Sequence, residues 1–167
     1  MIYKIRIILD AEEDIFRDVE IESHFSLEEF HNTITQAFGF LGNEMASFFT
    51  CDADWVQDEE IPLFDMGDPD GGIRLMAQTK LSDVMTKESP KLIYVYDFLN
   101  MWTFFVELAD VVMEEPGRIY PNLLFSFGEL PESPPEKRFQ SDAVDNPFGI
   151  DDTLDSYEDL DFDENWN

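Results

Sequence analysis

Residues 91–112 read KLIYVYDFLNMWTFFVELADVV, a stretch dominated by aromatic and β-branched side chains. Two apolar runs, 91–98 and 102–112, lie on either side of the short segment 99–101. Side chains of these kinds favour strands, because they pack well on a pleated and half-buried surface. A short connection between two such runs favours antiparallel pairing. The stretch therefore predicts a β-hairpin at the centre of a sheet.

A second hairpin is predicted at the N-terminus. Residues 2–9 and 15–22 each alternate apolar and polar side chains, and the acidic segment 10–14 lies between them. Alternation with a period of two is typical of a strand that buries one face. The two runs therefore predict an antiparallel pair that turns at the acidic segment.

One helix has clear signals at both of its ends. Ser26 followed three residues later by Glu29 forms a capping-box pattern, in which each residue satisfies a free backbone N–H of the other. Apolar residues then recur at helical spacing, and Gly39 supplies a residue suited to a left-handed C-terminal cap. The sequence predicts a helix over residues 27–38.

The other segments give weaker patterns. The sequence predicts a strand over 45–55, irregular acidic structure over 56–78, one or two helical turns over 80–85, and an extended segment across the core over 120–127. Five prolines between residues 116 and 135 exclude long regular elements in that part. The fold prediction is a single compact α+β domain over 1–135, with an antiparallel sheet of two hairpins and one clear helix. An irregular, Pro-rich and acidic segment follows, with a disordered tail predicted over 136–167.

The charge of the chain restricts its possible partners. It carries 38 acidic and 10 basic residues, for a formal net charge of -28. So negative a surface repels phosphate backbones and anionic lipid heads, which argues against direct binding to nucleic acids or membranes. The single cysteine, Cys51, cannot form an internal disulfide, and no secretory signal opens the sequence. We expect a cytoplasmic protein.

No pattern for catalysis, a metal or a cofactor is found. His24 is interpreted as a loop residue, His31 as a solvated or partly packed helix residue, and Cys51 as a buried, inert thiol. Asp65, Asp68 and Asp70 do not have the spacing of a calcium-binding EF-hand loop. The sequence therefore predicts no catalytic residue, no metal site and no cofactor.

The central hairpin also carries a resemblance to a known family. Tyr94-Val95-Tyr96-Asp97-Phe98 followed by Trp102, with Tyr120-Pro121 downstream and a hairpin and helix upstream, resembles the Ri-plasmid (pRiA-type) open-reading-frame-three-like family. These proteins are described as passengers of transposable elements. The resemblance covers roughly residues 2–135 and implies a compact α+β domain, a link to mobile DNA and no defined reaction.

Three departures from the family pattern fall in the hairpin. Leu99 stands at the family's glycine, Asn100 at its second aspartate and Phe104 at its histidine. Farther on, Leu123 and Leu130 occupy positions where the family often has cysteines. If those family residues form a polar or metal site, the resemblance implies that this chain has lost most of it.

The acidic tail suggests the leading functional hypothesis. Apolar residues recur among its acids at a spacing suited to a helix that folds into a groove; the candidate partner-binding residues are Leu154, Tyr157, Phe162 and Trp166. A tail that only solvates the protein, or that packs on its own domain, is equally open. The predicted function is a non-enzymatic protein that binds a basic or grooved protein partner. The alternative is a small-molecule or metal-binding domain, or a weak enzyme, built around Asp97, Asn100 and Trp102.

Overall fold

A computed structural model describes residues 1–65, 67 and 72–135. Its strands are β1 (Ile2–Leu9), β2 (Phe16–Glu22), β3 (Ala46–Cys51), β4 (Gln57–Pro62), β5 (Lys91–Tyr96), β6 (Trp102–Val112) and β7 (Asn122–Phe127). They form a seven-stranded sheet in the order β4-β3-β5-β6-β1-β2-β7, and every neighbouring pair is antiparallel. Both predicted hairpins are confirmed, and β6 is the central strand.

The helix predicted from the capping box and Gly39 is present. Helix α1 spans Leu27–Phe38, as predicted. The Ser26 hydroxyl accepts the Glu29 N–H at 3.1 Å, and the Glu29 carboxylate accepts the Ser26 N–H at 2.9 Å. Gly39 ends the helix with a φ of 83°, which a residue without a Cβ adopts at little cost. A single turn of 3-10 helix (Met76–Gln78) and the short helix α2 (Leu81–Val84) complete the regular elements among the described residues.

The core lies between α1 and the inner face of the sheet. Phe30 of α1 stacks on Phe48 of β3 with ring centroids 5.4 Å apart, and both side chains are fully buried. The inner residues of the central strands join the same cluster, Tyr94 and Phe104 among them. Burial of one such side chain stabilises the fold by roughly 1.5–3 kcal/mol. Packing on the sheet therefore supplies most of what holds α1 in place.

The outer face of the sheet is partly covered by the β3–β4 loop. Trp55 of that loop has a φ of 67°, and its ring lies 4.9 Å from the ring of Phe105 on β6. The Lys91 amino group lies 4.6 Å from the centroid of the Trp55 ring, a cation–π contact. Ile93 and Val95, which alternate with the inner residues of β5, are also buried. Strand β5 is therefore buried on both faces.

Several expectations from the sequence were wrong. Residues 57–62, predicted to be irregular, form β4, which pairs with β3. The strand predicted over 45–55 is only Ala46–Cys51. Residues 122–127 do not cross the core but form the edge strand β7, which pairs with β2.

The fold class was correct in outline. The part that the structure describes is mostly β-sheet with one clear helix, so the predicted antiparallel sheet and helix are present, but the sheet exceeds two hairpins. Residues Met1–Pro135 form one compact unit. The tail predicted over 136–167 lies outside the described residues. Within those residues, no helix has the length and apolar character needed to cross a bilayer.

Candidate functional site

The turn between β5 and β6 holds two of the three residues of the alternative ligand site. Asp97 has a φ of 64°, and its N–H donates to the Met45 carbonyl at 2.7 Å. Its carboxylate accepts the Asn100 amide group at 2.6 Å and the Leu99 N–H at 3.2 Å. An aspartate that accepts N–H groups two and three residues onward stabilises a tight turn. Through these contacts, Asp97 and Asn100 determine the shape of the hairpin turn.

Trp102 is directed away from that turn. Its side chain is buried, and its ring meets Phe40 edge-on with centroids 5.3 Å apart. The structure therefore brings Asp97 and Asn100 together and places the indole in the core. A ligand role for the three residues stays a prediction, now with a structural role established for each.

A buried polar pair beneath the hairpin was missed by the sequence analysis. His31 is 2% exposed, and its Nδ1 lies 2.6 Å from the hydroxyl of Tyr94, which is also buried. Burial lowers the pKa of His31 to about 4. It also raises the pKa of Tyr94 well above its usual value. His31 is therefore a neutral imidazole bonded to a neutral phenol, and it is more deeply buried than the solvated or partly packed residue that the sequence predicted.

The signal for this pair was present in the sequence. Leu27, His31 and Ile34 have the spacing i, i+4, i+7, which places them on one face of a helix. The burial of His31 could therefore have been predicted from this spacing. A histidine on the apolar stripe of a helix is expected to be buried and to need a hydrogen-bonding partner.

A cleft lies between the β3–β4 end of the sheet and the α2 region. It encloses about 730 Å³, and its walls include Cys51, Glu59, Arg74 and Lys91. Both cations are engaged within the chain: Arg74 donates to the Glu59 carboxylate at 2.6 and 2.9 Å, and Lys91 donates to the Ala53 carbonyl at 2.8 Å. An anionic ligand would have to displace these contacts.

The thiol in this cleft is not activated. Burial, together with the charge of Asp52, raises the pKa of Cys51 to about 11. Because only the thiolate is a good nucleophile, Cys51 stays almost wholly protonated and unreactive at neutral pH. Among the described residues, no group of three or more His, Cys, Asp or Glu side chains has the arrangement of a metal site.

The surface is strongly acidic, and its arginines do little to offset that charge. Each arginine in the described part of the chain donates to the protein itself: Arg6 to Asp18, Arg74 to Glu59, Arg118 to Glu20, and Arg17 to the carbonyl oxygens of Phe16, Ala37 and Phe127. Exposed carboxylates such as those of Glu12, Glu13 and Asp14 have no ion pair within the same residues. The negative charge is therefore available to a partner in solution.

The candidate partner-binding residues of the tail, Leu154, Tyr157, Phe162 and Trp166, lie outside the described residues. Their role stays a prediction that the structure does not test.

Comparison with solved structures supports the fold. The chain is similar to the crystal structure of a protein of unknown function from Methanosarcina mazei Go1, with a TM-score of 0.65 and 21% sequence identity. The match covers 75% of this chain and 68% of that one. At this identity the likeness extends to the fold alone. No curated protein matches the sequence significantly.

A family assignment follows from the sequence itself. The sequence model of the family described as plasmid pRiA4b ORF-3-like protein matches residues 1–137, which confirms the resemblance carried by the central hairpin. This chain therefore belongs to the plasmid pRiA4b ORF-3-like family.

Proposed function

We propose that this protein is a non-enzymatic interaction protein that binds a basic or grooved protein partner through its acidic surface and its C-terminal segment. The observation that carries this proposal is the uncompensated charge: a chain of net charge -28 whose described arginines are each engaged internally. Such a surface attracts basic proteins over a range set by the ionic strength.

The C-terminal segment would supply specificity. Charge alone attracts many basic partners with little discrimination, whereas apolar anchors fitted to a groove select among them. Leu154, Tyr157, Phe162 and Trp166 are suited to that role because acids surround them. The plasmid origin of the family's name supports a partner that itself handles DNA, since a DNA-binding surface is basic.

A capture experiment with matched variants tests this proposal. The full-length protein is compared with a variant in which Leu154, Tyr157, Phe162 and Trp166 are replaced by serine, which leaves the net charge unchanged. We expect the wild type to retain, at moderate salt, a subset of basic proteins whose recovery is at least about tenfold lower for the serine variant, whereas basic proteins held by charge alone are recovered equally by both. Mass spectrometry with isotope labels measures the ratio.

A control separates anchors from charge. Serine at Asp152, Asp155, Asp159 and Asp163 removes four charges and keeps the anchors. This variant should retain the same partners more weakly and with a shallower dependence on salt, because fewer charges remain to be screened. If the apolar variant retains the same proteins as the wild type, the C-terminal segment does not select the partner.

The same charge predicts a salt effect on stability. Carboxylates that repel one another destabilise the folded state, and the Debye length falls from about 30 Å to about 8 Å between 0.01 and 0.15 M salt. We therefore expect the melting temperature at pH 7 to rise over this range, by about 3 °C for each kcal/mol of repulsion screened. Circular dichroism melts in sodium chloride measure the change. A flat or falling melting temperature would mean that ion pairs such as Arg6–Asp18 outweigh the repulsion.

A further inference from the structure

The two edges of the sheet differ sharply in chemistry. Strand β4, at one edge, begins Gln57-Asp58-Glu59-Glu60, and charged side chains on an edge discourage pairing with another chain. Strand β7, at the other edge, reads NLLFSF and has no charged residue. Among the described residues it pairs with β2 alone. No other described strand therefore pairs with the backbone groups on its outer side, which have the arrangement needed to bind an added strand.

The side chains of β7 are apolar and unusually exposed. Leu123 is 53% exposed, Leu124 40%, Phe125 51% and Phe127 49%. Edge strands of this kind promote aggregation, and proteins usually protect them with charges, prolines or a covering segment. An apolar edge left open on an otherwise highly charged protein is therefore a candidate for binding.

An aromatic cluster extends the apolar edge onto the outer face of the sheet. The ring of Phe16 on β2 lies 5.5 Å from that of Phe127 and 5.9 Å from that of Phe125. Arg6 lies over Phe16, with its guanidinium 4.1 Å from the ring centroid, and donates twice to the Asp18 carboxylate. Its charge is thus neutralised, so the cluster offers an apolar platform without a free cation.

Carboxylates border this platform on two sides. The exposed acidic turn Glu12-Glu13-Asp14 lies beside the end of β7. The backbone there is so close that a Cβ added to Gly128 would come within 2.7 Å of the Asp14 carbonyl oxygen. On the other side, a hollow of about 450 Å³ is lined by Leu124, by the carboxylates of Asp18, Glu107 and Asp110, and by the cations Lys4 and Arg6, so that acids outnumber cations there by three to two. An apolar strip bordered by acids is complementary to a strand that alternates apolar and basic residues.

We propose that the β7 edge is a strand-addition site for an extended segment of a partner protein, one that alternates apolar and basic side chains. The added strand takes its backbone hydrogen bonds from the outer side of β7. Its apolar residues pack on Phe16, Phe125 and Phe127. Its basic residues alternate to the opposite face and are attracted by the net negative charge of the protein. A second copy of this chain is disfavoured as the occupant, because two chains of net charge -28 repel each other.

This proposal rests on the proposed function and locates one part of the surface with which this protein binds its partner.

The probe is a fluorescent peptide with a six-residue core of alternating valine and lysine, matched to the length of β7. Two control peptides are a scrambled sequence of the same composition and an alternating peptide with glutamate in place of lysine. Fluorescence anisotropy with the full-length protein measures the affinity.

Two matched variants locate the binding. Phe125→Lys places a cation on the apolar strip, and Phe64→Lys makes the same change at an exposed phenylalanine elsewhere, 55% accessible to solvent. We expect Phe125→Lys to weaken binding of the alternating basic peptide at least about tenfold and Phe64→Lys to change it less than about twofold. Both variants should melt close to the wild type. Amide exchange should slow in β7 when the peptide is bound.

The outcomes distinguish this proposal from the function on which it rests. Equal binding of the scrambled and alternating basic peptides, unaffected by Phe125→Lys, would overturn strand addition and leave general acidic binding intact. Failure of every basic peptide to bind would count against both. A concentration-dependent dimer in sedimentation that Phe125→Lys abolishes would overturn the partner peptide in favour of a second copy.

Discussion

Replacement of Phe104 by alanine is expected to lower the free energy of unfolding by about 3–5 kcal/mol. Phe104 is fully buried on β6, the central strand, and its ring lies 4.7 Å from Phe38 of α1 and 5.8 Å from Tyr94 of β5. Alanine would remove the contact between the helix and the middle of the sheet. The remaining cavity cannot collapse readily, because its walls belong to separate regular elements.

Urea denaturation followed by far-ultraviolet circular dichroism measures this loss. Phe125→Ala is the matched control: the same deletion at a half-exposed ring should cost less than about 1 kcal/mol. Phe104→His, which restores the residue of the family pattern, should destabilise by an amount comparable to alanine, since burial of an imidazole without a partner is costly. A loss below about 1 kcal/mol for Phe104→Ala would mean that this position is not part of the core.

The elements predicted correctly are those specified by neighbouring residues. Both ends of helix α1 were predicted correctly, because the signals that set them, the capping box at Ser26 and the C-cap Gly39, lie at the helix ends themselves. The two hairpins were found because alternation and a short turn are local features. The pairings of β1 with β6, β2 with β7 and β3 with β5, which assemble the sheet, required information from distant parts of the chain.

Both edge strands were missed or misplaced for a shared physical reason. A strand with one neighbour buries little, so its sequence need not alternate apolar and polar residues. In β4 only Ile61 and Pro62 are buried, and the acidic residues before them resembled a loop. In β7 the apolar residues suggested a place in the core, but they are exposed. A strong apolar pattern therefore does not distinguish a strand in the core from an exposed edge strand.

The candidate site was predictable only in part. Asp97 and Asn100 were predicted as candidate ligands in the hairpin, and that role stays a prediction, while the structure shows the hydrogen bonds by which they shape the turn. The burial of His31 was underestimated, and its partner Tyr94 lies 63 residues away. Helical spacing could have predicted burial of the imidazole, but no local pattern could have supplied the hydroxyl to which it bonds.

The buried imidazole makes the stability of the protein depend on pH between about 4 and 6.5. The pKa of His31 is about 4 in the folded protein and about 6.5 in the unfolded chain, because burial disfavours the charged form. In this interval the unfolded chain binds the extra proton. The contribution of His31 to the free energy of unfolding is therefore complete above pH 6.5 and falls as the pH is lowered. The loss approaches about 3 kcal/mol at pH 4.

His31→Gln isolates this contribution, because glutamine can still bond to the Tyr94 hydroxyl but does not titrate in the interval. The carboxylates that protonate near pH 4 are common to both proteins, so the difference between their urea midpoints at successive pH values reports the imidazole alone. We expect the wild type to lose stability relative to His31→Gln from pH 6.5 downward. Parallel curves for wild type and His31→Gln would mean that His31 binds its proton as readily folded as unfolded, which a residue 2% exposed and bonded to a buried phenol should not do.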